Sequence, residues 1–403
     1  MTFAAAPQGN QGLQDGWAVD DDGKTSGGLH LLVDGEFAYM RSAGAGWARI
    51  NFRLGNCFID WTTPIPQSRI DAGTCHTSTL NRTAADQYVD VVRAARAQGL
   101  KVLGLISNES WHAADPSEWV VNNAEHNPSG NGDNAYIHHV ASTAGLLAGR
   151  FTGAQAVEEW EVWNEPNAWA NSPTPGVYTG GSFIYPSNFA QMLKQSRDAI
   201  KRANPAALVL AGGVFGHDAA TAATTLSVKP NGAQVVTPKG GTYVKSPTAR
   251  AQTAASGCTN VSVVPSGADY LCETYTMGRW KAGWGRSGPF DHVGQHLYID
   301  QGSTTSAGKI NQFLSEVRQA YVAFEGTGTT KRTEVTEIGW NTYSFPDAAT
   351  AESAQSRPIP TCGAPRPCLR GSRAGRVPPL SKLLEYHGER LFQMNAHDRF
   401  GGR

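Results

Sequence analysis

Short apolar runs alternate with longer amphipathic segments along most of the chain, and this alternation is the feature that most restricts the fold. Seven runs have the length and apolar character of buried strands: 28–33, 47–52, 101–106, 156–163, 207–213, 290–298 and 332–340. Segments of helical character lie between them, at 35–44, 84–98, 135–147, 186–203, 266–284 and 310–324. Strands that are apolar on both faces predict a parallel sheet covered by helices.

Seven strand–helix units that run toward eight favour an α/β fold of the (β/α)8 TIM-barrel type over an open doubly wound sheet. No Gly-rich phosphate-binding fingerprint follows the first strand, which argues against a dinucleotide-binding fold. No eighth apolar strand can be recognised in the sequence. We therefore predict a TIM barrel whose eighth strand is missing or replaced.

The same pattern divides the chain into three parts. Residues 1–27 form a polar, Gly-rich N-terminal segment, and residues 28–355 form the predicted catalytic barrel. Within the barrel, the stretch 216–264 is rich in Thr, Gly, Lys and Ser and is interpreted as an insertion over the C-terminal edge of the sheet. Residues 356–403 form an atypical tail, since the part between Arg357 and Pro379 contains five Arg, six Pro and no acidic residue. The tail is either foreign or out-of-frame sequence or a disordered extension.

The charge of the chain excludes some classes of partner. Charged residues make up 17% of the 403 residues and the formal net charge is zero. Proteins that bind nucleic acid carry basic patches, so we expect no nucleic-acid partner. No apolar run approaches the length of a membrane span, so we expect no membrane partner.

The six cysteines do not decide whether the protein belongs to an oxidising or a reducing cellular compartment. They do not have the spacing and His partners of a zinc site, and they are Cys57, Cys75, Cys258, Cys272, Cys362 and Cys368. Cys57 with Cys75 and Cys258 with Cys272 could each close a short disulfide loop, which indicates an oxidising compartment. The N-terminus has neither the basic start nor the apolar core of a signal peptide. The chain is therefore either secreted, with an incomplete start, or cytosolic with free thiols.

Two glutamates follow predicted strands where a parallel barrel places its chemistry. Glu165 ends the fourth strand and Glu337 ends the seventh, so both should reach the mouth of the barrel from opposite sides. Two carboxylates that face each other can cleave a glycosidic bond, one as proton donor and the other as nucleophile. Alternatively, Glu165 could cap a helix and Glu337 could pair with a surface cation. Glu334 competes with Glu337 but lies farther from the turn at Gly339.

Two motifs resemble those of a known group of enzymes. The run Glu161-Val162-Trp163-Asn164-Glu165-Pro166-Asn167 resembles the acid/base motif of retaining clan A glycoside hydrolases, and Val335-Thr336-Glu337-Ile338-Gly339-Trp340 resembles their nucleophile strand. The sequences of the two motifs are most similar to those of the family-39 β-xylosidase-like and family-5 cellulase-like groups. The resemblance covers about residues 28–345. It implies a retaining β-glycosidase that acts on carbohydrate without a metal or an organic cofactor.

The resemblance also implies roles for other residues. Asn164 would bond the sugar 2-hydroxyl, Arg49 would keep the nucleophile ionised, and Tyr298 would bond the nucleophile with His296 beside it. Candidates for stacking on the sugar or binding its hydroxyls are Trp111, His112, Trp169 and Trp340. Each has a structural alternative: an ion pair for Arg49, a core position for His296, and packing for each Trp. Members of the clan often carry a Trp on the eighth strand, and no Trp follows Trp340 in this chain.

Two other functions stay open at the level of sequence. The chain could be a catalytically impaired barrel that only binds carbohydrate, because its tail departs from the clan pattern. A metal-dependent barrel enzyme is disfavoured, because no His/Asp ligand cluster is expected at the strand ends. The motifs do not distinguish xylosidase, glucanase, mannanase and arabinosidase activity, nor endo from exo cleavage.

Overall fold

The computed structural model describes most of the predicted barrel. The described residues are 37–42, 45–54, 57–72, 81–111, 132–167, 184, 186–216, 223–228, 234–238, 243–245, 267–299, 306–340 and 394–395. The N-terminal segment 1–27, the predicted first strand 28–33, His112 and Trp169 lie outside them, as does all of the tail except Met394 and Asn395.

Ten strands are described, and six of them match predicted strands. They are β1 (Trp47–Asn51), β2 (Lys101–Ile106), β3 (Glu159–Asn164), β4 (Leu208–Gly216), β5 (Ala223–Val228), β6 (Gln234–Pro238), β7 (Tyr243–Lys245), β8 (His292–Ile299), β9 (Thr333–Trp340) and β10 (Met394–Asn395). The main sheet has the order β1-β2-β3-β4-β8-β9-β10, and every neighbouring pair in it is parallel. The predicted parallel sheet is therefore confirmed.

In the described part of the chain, seven α-helices connect or flank these strands. They are α1 (Phe37–Ser42), α2 (Gln67–Asp71), α3 (Ala84–Ala97), α4 (Ala135–Arg150), α5 (Pro186–Ala203), α6 (Gly267–Trp280) and α7 (Ser306–Glu325). Helix α3 begins with a capping box, in which the Thr83 side chain accepts from the Asp86 backbone N–H and Asp86 accepts from the Thr83 backbone N–H. Parallel strands with helices between them form a partial TIM barrel, as predicted.

A short strand lies beside β9, where the eighth strand was predicted to be missing or replaced. In β10, Met394 and Asn395 pair with Ile338 and Gly339 of β9. The sequence did not reveal it, because two residues that pair through backbone hydrogen bonds need no apolar run. Among the described strands, β1 and β10 form the two ends of the sheet and do not pair with each other.

The two faces of the sheet have different characters, which strand β3 illustrates. Trp160 and Val162 are fully buried in the main apolar core, where the Trp160 ring lies 5.0 Å from the Phe52 ring and 6.1 Å from the Phe151 ring. Glu159 and Glu161 alternate with them and are also fully buried, although they carry charge. The alternation of a strand therefore turns the apolar side chains toward the helices and the carboxylates toward the concave face.

The predicted insertion contains a second sheet. Strands β5, β6 and β7 pair antiparallel in that order, apart from the main sheet. Cys57 and Cys272 are both disulfide-bonded, and the other four cysteines lie outside the described residues, so the predicted pairings stay predictions. In the part of the chain that the structure describes, no helix is long and apolar enough to cross a bilayer.

Candidate active site

The guanidinium of Arg49 lies at the centre of the site. Arg49 is on β1 and is only 5% exposed. Its Nε donates to Glu161 Oε2 at 2.6 Å, its Nη1 to Glu337 Oε1 at 2.5 Å, and its Nη2 to Asn164 Oδ1 at 2.9 Å. One side chain thus joins β1, β3 and β9 on the concave face.

Neighbouring carboxylates stabilise the protonated form of Arg49. Burial lowers the pKa of a cationic group, but the charges and hydrogen bonds of Glu161 and Glu337 outweigh this and raise the pKa of Arg49 above its ordinary value. A permanent positive charge in contact with Glu337 favours the ionised form of that carboxylate. An ionised carboxylate is the form that can act as a nucleophile.

His296, on β8, lies between the two predicted catalytic glutamates. Its Nδ1 is 2.8 Å from Glu165 Oε1 and 3.5 Å from Glu337 Oε2. Burial alone would lower the pKa of His296, but the charge of Glu337 and the hydrogen bond and charge of Glu165 raise it above the ordinary value. The imidazole is therefore held against both carboxyl groups, within hydrogen-bond distance of Glu165.

The distance between the two carboxylates limits the chemistry. One ligand atom each of Glu165, His296 and Glu337 lies within 4.8 Å of the others, so the two glutamates bring carboxylate oxygens that close together. In retaining glycosidases the two carboxyl groups lie about 5–5.5 Å apart, whereas inverting enzymes separate them by about 6.5–9.5 Å to admit a water. Carboxylate oxygens within 4.8 Å of each other are nearer to the retaining spacing than to the inverting one.

An unusual backbone at the end of β3 presents Asn164 and Glu165 together. Successive residues of a regular strand point to opposite faces, yet Asn164 bonds Arg49 and Glu165 bonds His296. Trp163 and Glu165 have positive φ values of 76° and 45°, which are uncommon for residues with a side chain. Trp163 is buried and lies edge-on to Tyr136 of α4. The left-handed residues break the alternation, and such strained backbone is typical of functional sites.

Tight packing holds His296 in place. A Cβ on Gly213 of β4 would lie 2.1 Å from His296 Nε2 and 2.9 Å from Thr336 Oγ1. No real side chain tolerates such contacts, so β4 approaches the imidazole closely only because position 213 is glycine. The packing leaves His296 fully buried against the sheet.

Two groups of side chains on the concave face have the spacing of cation ligands. They are Glu165 with His296 and Glu337, and Glu159 with His292 and Glu334, and in each the ligand atoms lie within 4.8 Å of one another. The sequence led us to expect no His/Asp ligand cluster at the strand ends, and both groups consist of His and Glu residues that are far apart in sequence. In the first group, Glu337 is already in contact with the positive charge of Arg49.

Glu334 and Glu337 lie at different positions along β9 and have different partners. Glu334 Oε1 lies 2.8 Å from His292 Nδ1, near the beginning of β8 and β9. Glu337 lies farther along β9, in contact with Arg49 and near His296. Active sites of TIM barrels form at the C-terminal ends of the strands, where Glu337 meets Glu165.

Where the structure describes them, the aromatic residues predicted to contact the sugar are not brought together around Arg49 as the carboxylates are. The ring of Trp111 stacks on His139 of α4 at 4.6 Å, so the protein itself covers one face of the indole. Tyr298 and Trp340 belong to β8 and β9 through their backbone, and the roles of their side chains stay predictions. His112 and Trp169 lie outside the described residues.

Glu161 is the main residue of the site that the sequence interpretation missed. The sequence shows it only as part of a motif, whereas in the structure it accepts hydrogen bonds from Arg49 Nε and from Thr336 Oγ1. The available signal was the order Glu159-Trp160-Glu161-Val162, in which carboxylates alternate with apolar residues inside a buried strand. Such an alternation predicts one polar face, and the only place for it in a covered sheet is the inside of the barrel.

Comparisons with known proteins found similarity to solved structures only. No protein-family model and no curated protein matches the chain. A solved structure of the hyperthermostable endo-1,4-beta-D-mannanase from Thermotoga petrophila RKU-1 is 12% identical, with 81% of each chain covered and a TM-score of 0.45. The endo-1,4-beta-mannanase from Rhizomucor miehei is 14% identical over 78% of this chain and 76% of that one, with a TM-score of 0.43.

A third similar structure is the GH5-4 broad specificity endoglucanase from an uncultured bacterium. It is 13% identical, covers 79% of this chain and 70% of its own, and has a TM-score of 0.43. By these names the similar structures are mannanases and an endoglucanase. Identities and TM-scores this low carry no argument about fold or activity, and the narrower likeness to family 39 stays a prediction.

Proposed function

We propose that the protein is a retaining glycoside hydrolase that cleaves β-linked oligosaccharides or polysaccharides, with Glu165 as the acid/base and Glu337 as the nucleophile. The observation that carries the proposal is the pair of carboxylate oxygens within 4.8 Å at the C-terminal ends of β3 and β9. The contact of Arg49 with Glu337 supports the nucleophile, and the contact of His296 with Glu165 fixes the position of the second carboxyl group beside it.

In the first step a Glu337 oxygen attacks the anomeric carbon, and the bond to the leaving oxygen breaks. Glu165 gives its proton to that oxygen, so the leaving group departs as a neutral alcohol and a glycosyl ester forms on Glu337. Arg49 keeps Glu337 ionised before the attack. His296 holds the Glu165 side chain toward the cleft through its 2.8 Å contact.

In the second step Glu165 removes a proton from water, and the water oxygen attacks the anomeric carbon and releases Glu337. Two displacements retain the anomeric configuration. Asn164 would assist both steps through its amide. Because its Oδ1 accepts from Arg49 Nη2, its NH2 group is directed away from Arg49 and can donate to a sugar hydroxyl.

Azide chemistry tests the two roles separately. The parent chain should hydrolyse at least one aryl β-glycoside from a panel of xylosides, glucosides, mannosides and arabinosides. Glu165→Ala should lower kcat by about 10²–10⁴-fold for substrates that need protonation of the leaving group. Added azide should restore turnover in both Glu337→Ala and Glu165→Ala, giving the α-glycosyl azide with the first variant and the β-glycosyl azide with the second.

The control variant is Glu316→Ala, since Glu316 lies on helix α7 and accepts only from the Gln312 side chain among the contacts described there. It should keep the parent's kcat. A parent chain that binds oligosaccharide in calorimetry but hydrolyses none would replace the proposal with a carbohydrate-binding barrel. Activity that EDTA abolishes and a metal restores would indicate a metal-dependent enzyme instead.

A further inference from the structure

We infer that Glu161 is a positioning residue, which fixes the guanidinium of Arg49 so that its other two nitrogens meet Glu337 and Asn164. For its kinetic part this inference rests on the proposed function, while its spectroscopic part does not. Glu161 does not touch the place where a substrate would bind. It acts through Arg49, from the inside of the sheet.

The contacts of Glu161 engage both carboxylate oxygens. Oε2 accepts from Arg49 Nε at 2.6 Å, and Oε1 accepts from the Gly213 backbone N–H at 2.8 Å and from Thr336 Oγ1 at 3.1 Å. The side chain is fully buried, so water does not compete for these bonds. Glu161 is thereby tied to β1, β4 and β9 in addition to its own strand, which gives it one position.

All three partners are donors, and this makes the site specific for a carboxylate. Ionised glutamate accepts on both oxygens and donates on neither, whereas glutamine carries an NH2 group at one of the two positions. That group would face either the Arg49 Nε–H or the Gly213 N–H, and neither can accept a hydrogen bond. The space is also limited, because a Cβ on Gly294 would lie 2.9 Å from Glu161 Oε1.

Because the guanidinium is planar, the contact of Glu161 with Arg49 Nε also determines where the other two nitrogens of Arg49 lie. Its five N–H groups form a rigid fork, so the direction of the Nε–H determines the plane and the directions of Nη1 and Nη2. With Nε held by Glu161, Nη1 reaches Glu337 at 2.5 Å and Nη2 reaches Asn164 at 2.9 Å. Without Glu161 the fork can turn about its stem, and both contacts at the mouth loosen together.

A simpler interpretation is that Glu161 only neutralises a buried charge. Two substitutions separate the interpretations. Glu161→Asp keeps the charge but shortens the side chain by one bond, about 1.5 Å, so it no longer reaches Arg49 Nε. A neutralising role predicts that aspartate restores the parent's behaviour and glutamine does not. A positioning role predicts that both variants fail.

The direct measurement is NMR of the full chain labelled with ¹⁵N-arginine, with the Arg49 signals assigned by their loss in Arg49→Lys. In the parent we expect a slowly exchanging Nε–H and separate, slowly rotating Nη groups. In Glu161→Gln and Glu161→Asp, the Nη groups should rotate and average. If either variant folds and keeps the parent's Arg49 signals, the inference is overturned.

A matched control and a milder variant complete the experiment. Glu158→Gln removes another carboxylate that holds an arginine, Arg96, and should leave the Arg49 signals unchanged. Thr336→Val removes one donor to Glu161 but keeps its charge, and should partly release Arg49 even if the Glu161 variants do not fold. Arg49 signals in Thr336→Val that match the parent's would count against the inference.

Kinetics give the consequence for catalysis. If the parent hydrolyses a glycoside, Glu161→Gln and Glu161→Asp should each lower kcat/KM by about 10²-fold, the size of effect expected for a misplaced catalytic group. Glu158→Gln should leave kcat/KM unchanged. An inactive parent would contradict the proposed function, and the Arg49 signals would still decide the role of Glu161.

Discussion

At the scale of single residues, the site consists of charged side chains that the sequence only partly revealed. The proximity of Glu165 and Glu337 could be predicted, because one follows a parallel strand and the other lies in the C-terminal half of a second one. The alternation around Glu161 predicts only a polar strand face. The partners of Glu161 and the role of Gly213 could not be predicted, because each depends on a contact with another strand. The left-handed backbone of Trp163 also lay beyond sequence reasoning, since a bulky residue rarely adopts a φ of 76°.

His296 should make stability depend on pH. Its pKa in the folded protein is raised above 6.5, the ordinary value, by Glu337 and Glu165. A raised folded-state pKa contributes stability that is complete below the unfolded-state pKa and is lost as pH rises through the folded-state pKa. The difference in unfolding free energy between the parent and His296→Gln should therefore shrink as pH rises above 6.5.

Urea unfolding at a series of pH values measures this difference. The variant serves as the reference for the parent, because groups away from His296 titrate in the same way in both proteins and cancel in the difference. A difference that stays constant or grows with pH would show that His296 does not gain a proton more easily on folding.

At the scale of elements, the alternation of apolar runs and amphipathic segments predicted which strands and helices exist better than where they begin and end. Strand β3 begins at Glu159 rather than 156, and β4 continues to Gly216 beyond the predicted end at 213. Helix α7 begins at Ser306, before the predicted start at 310. The ends differ because hydrogen bonds to neighbouring strands and turns determine them, and apolar periodicity carries no information on those bonds.

The N-terminus of helix α3 offers a test at this scale. Thr83→Ala removes the side-chain acceptor of the capping box and should lower the free energy of unfolding by about 1 kcal/mol. Thr152→Ala is a matched control, because Thr152 precedes the 3₁₀ turn Gly153–Gln155 and its side chain makes no capping bond. Chemical denaturation of both variants measures the effect. Equal stabilities of the two variants would show that the Thr83 cap contributes nothing measurable.

At the scale of the whole molecule, the parallel sheet assembles the site from distant parts of the chain. Arg49 and Glu337 are 288 positions apart in sequence, and His296 and Glu165 are 131 apart. The order of strands brings their C-terminal ends to one edge, so the fold class alone predicted that Glu165 and Glu337 would meet. The short strand β10 beside β9 could not be predicted, because no apolar pattern marks it.

The central claim is that Glu337 becomes covalently bonded to the sugar. The most direct measurement is mass spectrometry of the full chain after incubation with a 2-deoxy-2-fluoro β-glycoside that has an activated leaving group. The sugar is chosen from the best substrate in the aryl glycoside panel. The fluorine slows both displacements, and the activated leaving group keeps the first fast enough for the ester to accumulate. Our account predicts one added glycosyl group, mapped by proteolysis to Glu337 and absent from Glu337→Ala. A glycosyl group on another residue, or hydrolysis of the panel substrate without any covalent adduct, would contradict it.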